Sequence, residues 1–108
     1  MYEKAYSYFQ KALEIDQNFN GEKNLSNIAA SYSNLGVTLQ KVGNLEQALN
    51  LLQKALEIQQ NCYGNQNHPD IAISCINLGV TLQTLDKPKE SLEFFQKALR
   101  IRQNLYGE

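Results

Sequence analysis

The sequence is poor in everything that would announce a membrane, a nucleic acid or a reaction. It has no run of about 18 apolar residues that could span a bilayer, and Met1-Tyr2-Glu3-Lys4-Ala5 lacks the basic start and apolar stretch of an export signal. Ten basic side chains stand against eleven acidic ones, a formal charge of −1 at neutral pH. There is thus no basic field to draw in phosphates, and six tyrosines without one make no platform for stacked bases. Cys62 and Cys75 are the only cysteines and His68 the only histidine, too few ligands for a structural zinc site. With no CxxC pair and no disulfide-rich character, both thiols are expected reduced and buried, as apolar fillers of a cytoplasmic protein. No glycine-rich phosphate loop, GxSxG or HExxH motif occurs, and Glu90 and Glu93 are spaced as solvated helix surface. Nucleic acid, membrane, metal, cofactor and catalysis are all outside the expectation.

What is present is an internal repeat. A shift of 43 residues lays Leu35-Gly36-Val37-Thr38-Leu39-Gln40 on Leu78-Gly79-Val80-Thr81-Leu82-Gln83, and Gln53-Lys54-Ala55-Leu56 on Gln96-Lys97-Ala98-Leu99. Twenty of the 37 pairs from Ile28 to Gly64 are identical, so the two halves must share one local structure. The same shift backward lays Gln53 to Ile58 on Gln10 to Ile15, and the chain opens in mid-repeat. The expected frame is a half repeat over 1–27 and full repeats over 28–70 and 71–108.

Each repeat reads as two helices. Leu45, Ala48, Leu49, Leu52, Ala55 and Leu56 recur at steps of three and four, and Leu51, Ala55, Ile58 and Cys62 make a second stripe on a neighbouring face. A helix apolar on two faces must be covered from two sides, and stacking follows. Gly43-Asn44 offers a residue tolerant of positive φ and then an N-cap side chain. Asp86-Lys87-Pro88 does the same work in the second copy, and Pro69 restarts a helix after the Asn- and Gly-containing stretch 63–68. Five helices are predicted, over 2–18, 27–41, 45–62, 69–84 and 88–105.

Leu35-Gly36, Leu39, Ala48, Leu52 and Ala55, repeated as Leu78-Gly79, Leu82, Ser91, Phe95 and Ala98, carry a spacing that resembles the tetratricopeptide signature. Ordinary repeats of that family run about 34 residues. The period of 43, with Tyr63-Gly64 followed by His68-Pro69-Asp70, is similar to the longer repeat of kinesin light chains. The resemblance covers essentially the whole chain and implies an all-α, right-handed solenoid of stacked antiparallel hairpins, acting as a protein-binding scaffold and not as an enzyme. His68-Pro69-Asp70 also matches the tripeptide of J-domain cochaperones. Here it reads as a helix start, with Pro69 in the first turn and Asp70 favoured by the helix dipole.

In such a solenoid the first helix of each hairpin lines a concave wall. Once Tyr32, Leu35, Gly36 and Leu39 are assigned to the core, the remaining face holds Ala30, Ser33, Asn34, Val37, Gln40 and Lys41. The matching set is Ile73, Ile76, Asn77, Val80, Gln83 and Thr84. Asn34 and Asn77 are the leading candidates, because a carboxamide offers donors and an acceptor to an extended peptide backbone. The resemblance implies the same role for asparagines at this place. Val37, Ile76 and Val80 would add apolar contact. Family members that clamp a C-terminal carboxylate use paired lysines and asparagines, whereas this wall has Ser33, Val37, Ile76 and Val80 there. The expected ligand is therefore a neutral or mildly acidic extended segment with apolar anchors, and helix-in-groove binding stays open. A rival expectation is a spacer. Phe94, Leu99, Ile101 and Leu105 should leave apolar surface at the last helix, to be covered by further repeats of a longer array or by end-to-end self-association of copies.

Overall fold

The computed structural model describes residues 22–64 and 67–107, and every element among them is helical. The four helices are α1 (Glu22–Lys41), α2 (Leu45–Tyr63), α3 (Pro69–Thr84) and α4 (Pro88–Tyr106). Three agree with the sequence expectation to within a residue at each end. The expected helix over 2–18 lies outside the described residues.

The exception is the start of α1, which begins at Glu22 where position 27 was expected. The repeat explains the difference. Ser26 stands where the second copy has Pro69, and proline sets the start of α3 by forcing its predecessor, His68, into extended backbone at φ −135° and ψ 137°. Without a proline at Ser26, nothing stops the helix from continuing backward through Asn24 and Leu25.

The two hairpin turns are the same structure made from different residues. Asn44 N–H donates to the Leu39 carbonyl at 2.9 Å, and Lys87 N–H to the Leu82 carbonyl at 2.9 Å, which closes a Schellman-type helix end in each copy. The residue that must turn left-handed is Gly43 at φ 88° in one and Asp86 at φ 62° in the other. One expectation fails here. Asn44 occupies the N-cap position of α2, but its side chain makes no capping bond; its carbonyl accepts from Ala48 N–H at 3.0 Å while φ −81° and ψ 68° turn the side chain away from a capping geometry. Because a non-glycine residue in the left-handed region is disfavoured, Asp86→Gly should stabilise the fold by about 0.5 kcal/mol and Gly43→Ala should cost about 1 kcal/mol. Urea midpoints of the two variants, moving in opposite directions, check this.

α1 packs on α2, α3 packs on α4, and the hairpins join mainly through α2 and α3. As the double stripe required, α2 is covered on both sides. Ala48, with Leu51 and Ile58 beside it, packs with Ile28, Leu35 and Leu39 of α1. Leu49, Leu52 and Leu56 enter a larger cluster with Ile71, Ala72, Cys75, Leu78 and Leu82 of α3, and Ala98 and Ile101 of α4. Within each hairpin a glycine permits the close crossing. A Cβ on Gly36 would lie 2.8 Å from Leu52 Cγ, and one on Gly79 would lie 2.6 Å from the Phe95 ring. Ser91, which replaces the signature alanine, is buried and donates its hydroxyl to the Gly79 carbonyl at 2.8 Å, so the departure leaves no polar group unsatisfied.

Two expectations about the last helix are corrected. Ile101 is buried in the larger cluster and Phe94 packs against it, because both point back toward α3, whereas Leu99 and Leu105 are exposed. Cys62 is also only half-buried. Cys75 is fully buried, and that burial pushes its thiol pKa up, a rise that the charge of Lys97 opposes.

Candidate functional site

The candidate wall residues fall on α1 and α3, the first helices of the two hairpins, at positions related by the 43-residue shift. Asn34 is exposed and Asn77 half-buried. Both lend their backbone carbonyls to a threonine four residues on, Thr38 Oγ1 at 2.9 Å and Thr81 Oγ1 at 2.8 Å. Among the described residues neither carboxamide has a hydrogen-bond partner. Each helix therefore presents one uncommitted amide from the same place in its repeat.

The surrounding residues divide. Lys41, Val80, Gln83 and Thr84 are exposed, Ile73 is exposed, and Ser33 is half-buried. Thr84 satisfies its own hydroxyl on the Val80 carbonyl at 2.9 Å. Val37 and Ile76 pack against the larger core cluster. Gln40 donates to Thr81 Oγ1 at 2.9 Å and so ties the first hairpin to the second. In the structure Val37 and Gln40 thus belong to the joint between repeats, with Asn34 and Lys41 beside them facing out. Ile73 and Ile76 share a shallow groove with Pro69, Ala72, Arg102 and Tyr106.

Two polar contacts at the joint were not anticipated. Ser74, buried on α3, donates to Gln59 Oε1 at 2.6 Å, and Gln59 is itself buried on α2. A buried pair of that kind penalises any other register of the hairpins, since sliding would orphan both groups. The signal available was Ser31 and Ser74 at equivalent places, each a polar residue within an apolar stretch. At the loop, the rings of Tyr63 and His68 stack with centroids 3.7 Å apart and planes 3° apart. His68 Nδ1 accepts from Asp70 N–H at 3.1 Å and caps α3. Tyr63 donates to the Asp70 carboxylate at 3.3 Å. Burial, then the charge of Asp70 and this bond to it, push the Tyr63 phenol pKa up. The His-Pro-Asp tripeptide is accordingly occupied in fastening the end of α2 to the start of α3.

Among the described residues no group of three potential metal ligands comes together, and no helix is long and apolar enough to cross a membrane.

A profile of the tetratricopeptide repeat family matches residues 1–61 and 27–104 of the sequence. Among solved structures, the crystal structure of BtubC (BKLC) from P. vanneervenii is similar at a TM-score of 0.86 and 30% sequence identity. The similarity covers 99% of this chain and 42% of that one, so the present chain spans less than half the length of its structural neighbour. No curated protein matches the sequence.

Proposed function

Because the chain belongs to the tetratricopeptide repeat family, in the long, kinesin-light-chain-like form, we propose that it is a protein-interaction segment that holds an extended peptide along the wall formed by α1 and α3. Tetratricopeptide repeats generally mediate protein–protein interaction and are typically non-enzymatic. The observation that carries the finer reading is the pair of uncommitted carboxamides on Asn34 and Asn77, one per repeat at the same register. Each can donate to a peptide carbonyl and accept from a peptide N–H, so the pair suits a backbone running across both hairpins. Exposed Val80 and Ile73 supply apolar contact, and Lys41 favours a neutral or mildly acidic ligand. This reading takes residues 28–70 and 71–108 as the repeat frame, preceded by a half repeat over 1–27. It also places the protein in the cytoplasm, where thiols such as Cys62 and Cys75 stay reduced.

The test begins with peptides selected from a random display library on the whole chain. Binding on the order of micromolar is expected, and Asn34→Ala with Asn77→Ala should weaken it ~30-fold, since each carboxamide contributes about 1 kcal/mol net. Circular dichroism should show both proteins equally helical, because the two amides make no bond among the described residues. Binding indifferent to both substitutions would dismiss the wall. The reading left standing would be the spacer, which is favoured by the exposed Leu92, Leu99 and Tyr106 on α4.

A further inference from the structure

The 43-residue shift gives every surface of the second hairpin a counterpart on the first, where its fate is visible. On α2, Leu49 and Leu56 are 9% and 8% exposed beneath α3, and Tyr63 packs on the same cluster. Their counterparts on α4, Leu92, Leu99 and Tyr106, are 55%, 58% and 60% exposed. Val37 packs into the joint, while its counterpart Val80 stands free of it. Gln40 reaches across to Thr81, while Gln83 is exposed. The open face of α3 and α4 therefore repeats, at these positions, a surface that the first hairpin uses to seat a helix.

Leu52 becomes another apolar residue, Phe95, but one polar position breaks the correspondence. Gln59, which receives the Ser74 hydroxyl at 2.6 Å, is matched on α4 by Arg102. Arg102 makes no hydrogen bond or ion pair among the described residues. It lines two grooves of this face, one with Leu99, Gln103 and Tyr106 and the other with Ile73 and Ile76. A guanidinium only donates, and a helix laid over it with serine at the facing position would strip water from the charge without neutralising it. A carboxylate there accepts two parallel N–H bonds and cancels the charge.

We propose that this face docks the first helix of a further hairpin of the same repeat type, one that carries an acidic side chain where α1 and α3 carry Ser31 and Ser74. A second copy of this chain fits poorly. Its own first helices have serine at that place, and α4 laid against α4 would set Arg102 near its like-charged equivalent. This face shares Ile73 and Val80 with the edge of the peptide wall but does not include Asn34 or Asn77, on which that wall rests.

The test extends the full chain by a second copy of residues 66–107, in register after Glu108, with the serine copied from Ser74 either kept or changed in the added copy alone. The three forms are Ser74→Asp, unchanged, and Ser74→Lys. The expected order of docking, read from thermal melts and from hydrogen exchange of the added helices, is Asp above Ser above Lys, with a step on the order of tenfold between Asp and Ser. Arg102→Gln, which restores the surroundings of Gln59, should put Ser above Asp. Leu99→Lys, at an exposed position that leaves the parent fold intact, should release the added hairpin in all three forms. Equal docking of the three, or an order unaltered by Arg102→Gln, would refute the acidic partner. So would an unextended chain that sediments as a dimer and becomes monomeric with Leu99→Lys, which would identify a second copy as the occupant. The Asn34→Ala, Asn77→Ala variant should keep the order, so failure of the peptide wall and failure of this face are told apart.

Discussion

Gly36→Ala is expected to destabilise the fold by about 2 kcal/mol, although alanine is the better helix former. In an exposed helix the exchange would gain about 1 kcal/mol from propensity. Here the new methyl would meet Leu52 Cγ at 2.8 Å and Cδ2 at 2.9 Å, with the Ala48 carbonyl at 3.4 Å behind them. Leu52 is 0% exposed. The clash falls at the branch point of a side chain with no room to retreat, so α1 and α2 must move apart, and overpacking of that kind costs about 1–3 kcal/mol before the cores on either side loosen. Gly79→Ala has the shorter approach, 2.6 Å to Phe95, yet should cost only about half as much. Phe95 is half-buried, and its ring can swing toward solvent. Urea denaturation gives the two values, and a cycle with Leu52→Ala should return a coupling of at least about 1 kcal/mol for Gly36. A neutral Gly36→Ala, or one milder than Gly79→Ala, would mean that the close crossing does not set the packing of the first hairpin.

That glycine was legible in the sequence because the repeat shows its partner twice. Gly36 with Leu52 and Gly79 with Phe95 are the same two positions, and a pattern that recurs after 43 residues reports on geometry rather than chance. The helix ends were legible for a related reason, since Gly43, Pro69 and Pro88 act through backbone constraints that hold whatever packs around them. What depended on a partner was harder to see. The bond between Ser74 and Gln59 has no identical duplicate to reveal it, because the 43-residue shift matches Gln59 with Asp16 in one direction and Arg102 in the other. The division of the wall was also hidden. Asn34 and Val37 lie three residues apart, which separates them by only about 60° around the helix. The boundary between the exposed face proposed to meet ligand and the face that meets the next repeat runs between them. Periodicity finds the apolar stripe but cannot place an edge that narrow; the packing of α3 against Val37 and Gln40 does.

Leu78→Ala should be the more damaging of two equivalent truncations, at about 4 kcal/mol against about 3 kcal/mol for Leu35→Ala. The side chains match under the 43-residue shift and are 0% and 1% exposed, so transfer of the lost methyls from water contributes equally. The difference lies in what surrounds them. Leu35 belongs to the cluster that joins α1 to α2 alone, whereas Leu78 sits where residues from α2, α3 and α4 converge. Three helices held by other contacts close less readily over a void than two, and cavity cost rises with the volume that remains. The consequences should also differ in reach. In a repeat stack, stability is roughly a sum of hairpin terms and a joint term, and Leu78 contributes to both. Its loss should speed amide exchange in α2 and α4 together, while Leu35→Ala should speed it in α1 and leave α4 close to wild type. Equal exchange profiles for the two variants would show that the larger cluster does not couple the hairpins. Profiles confined to α3 and α4 for Leu78→Ala would shift the joint onto the polar fasteners, Ser74 with Gln59 and Gln40 with Thr81.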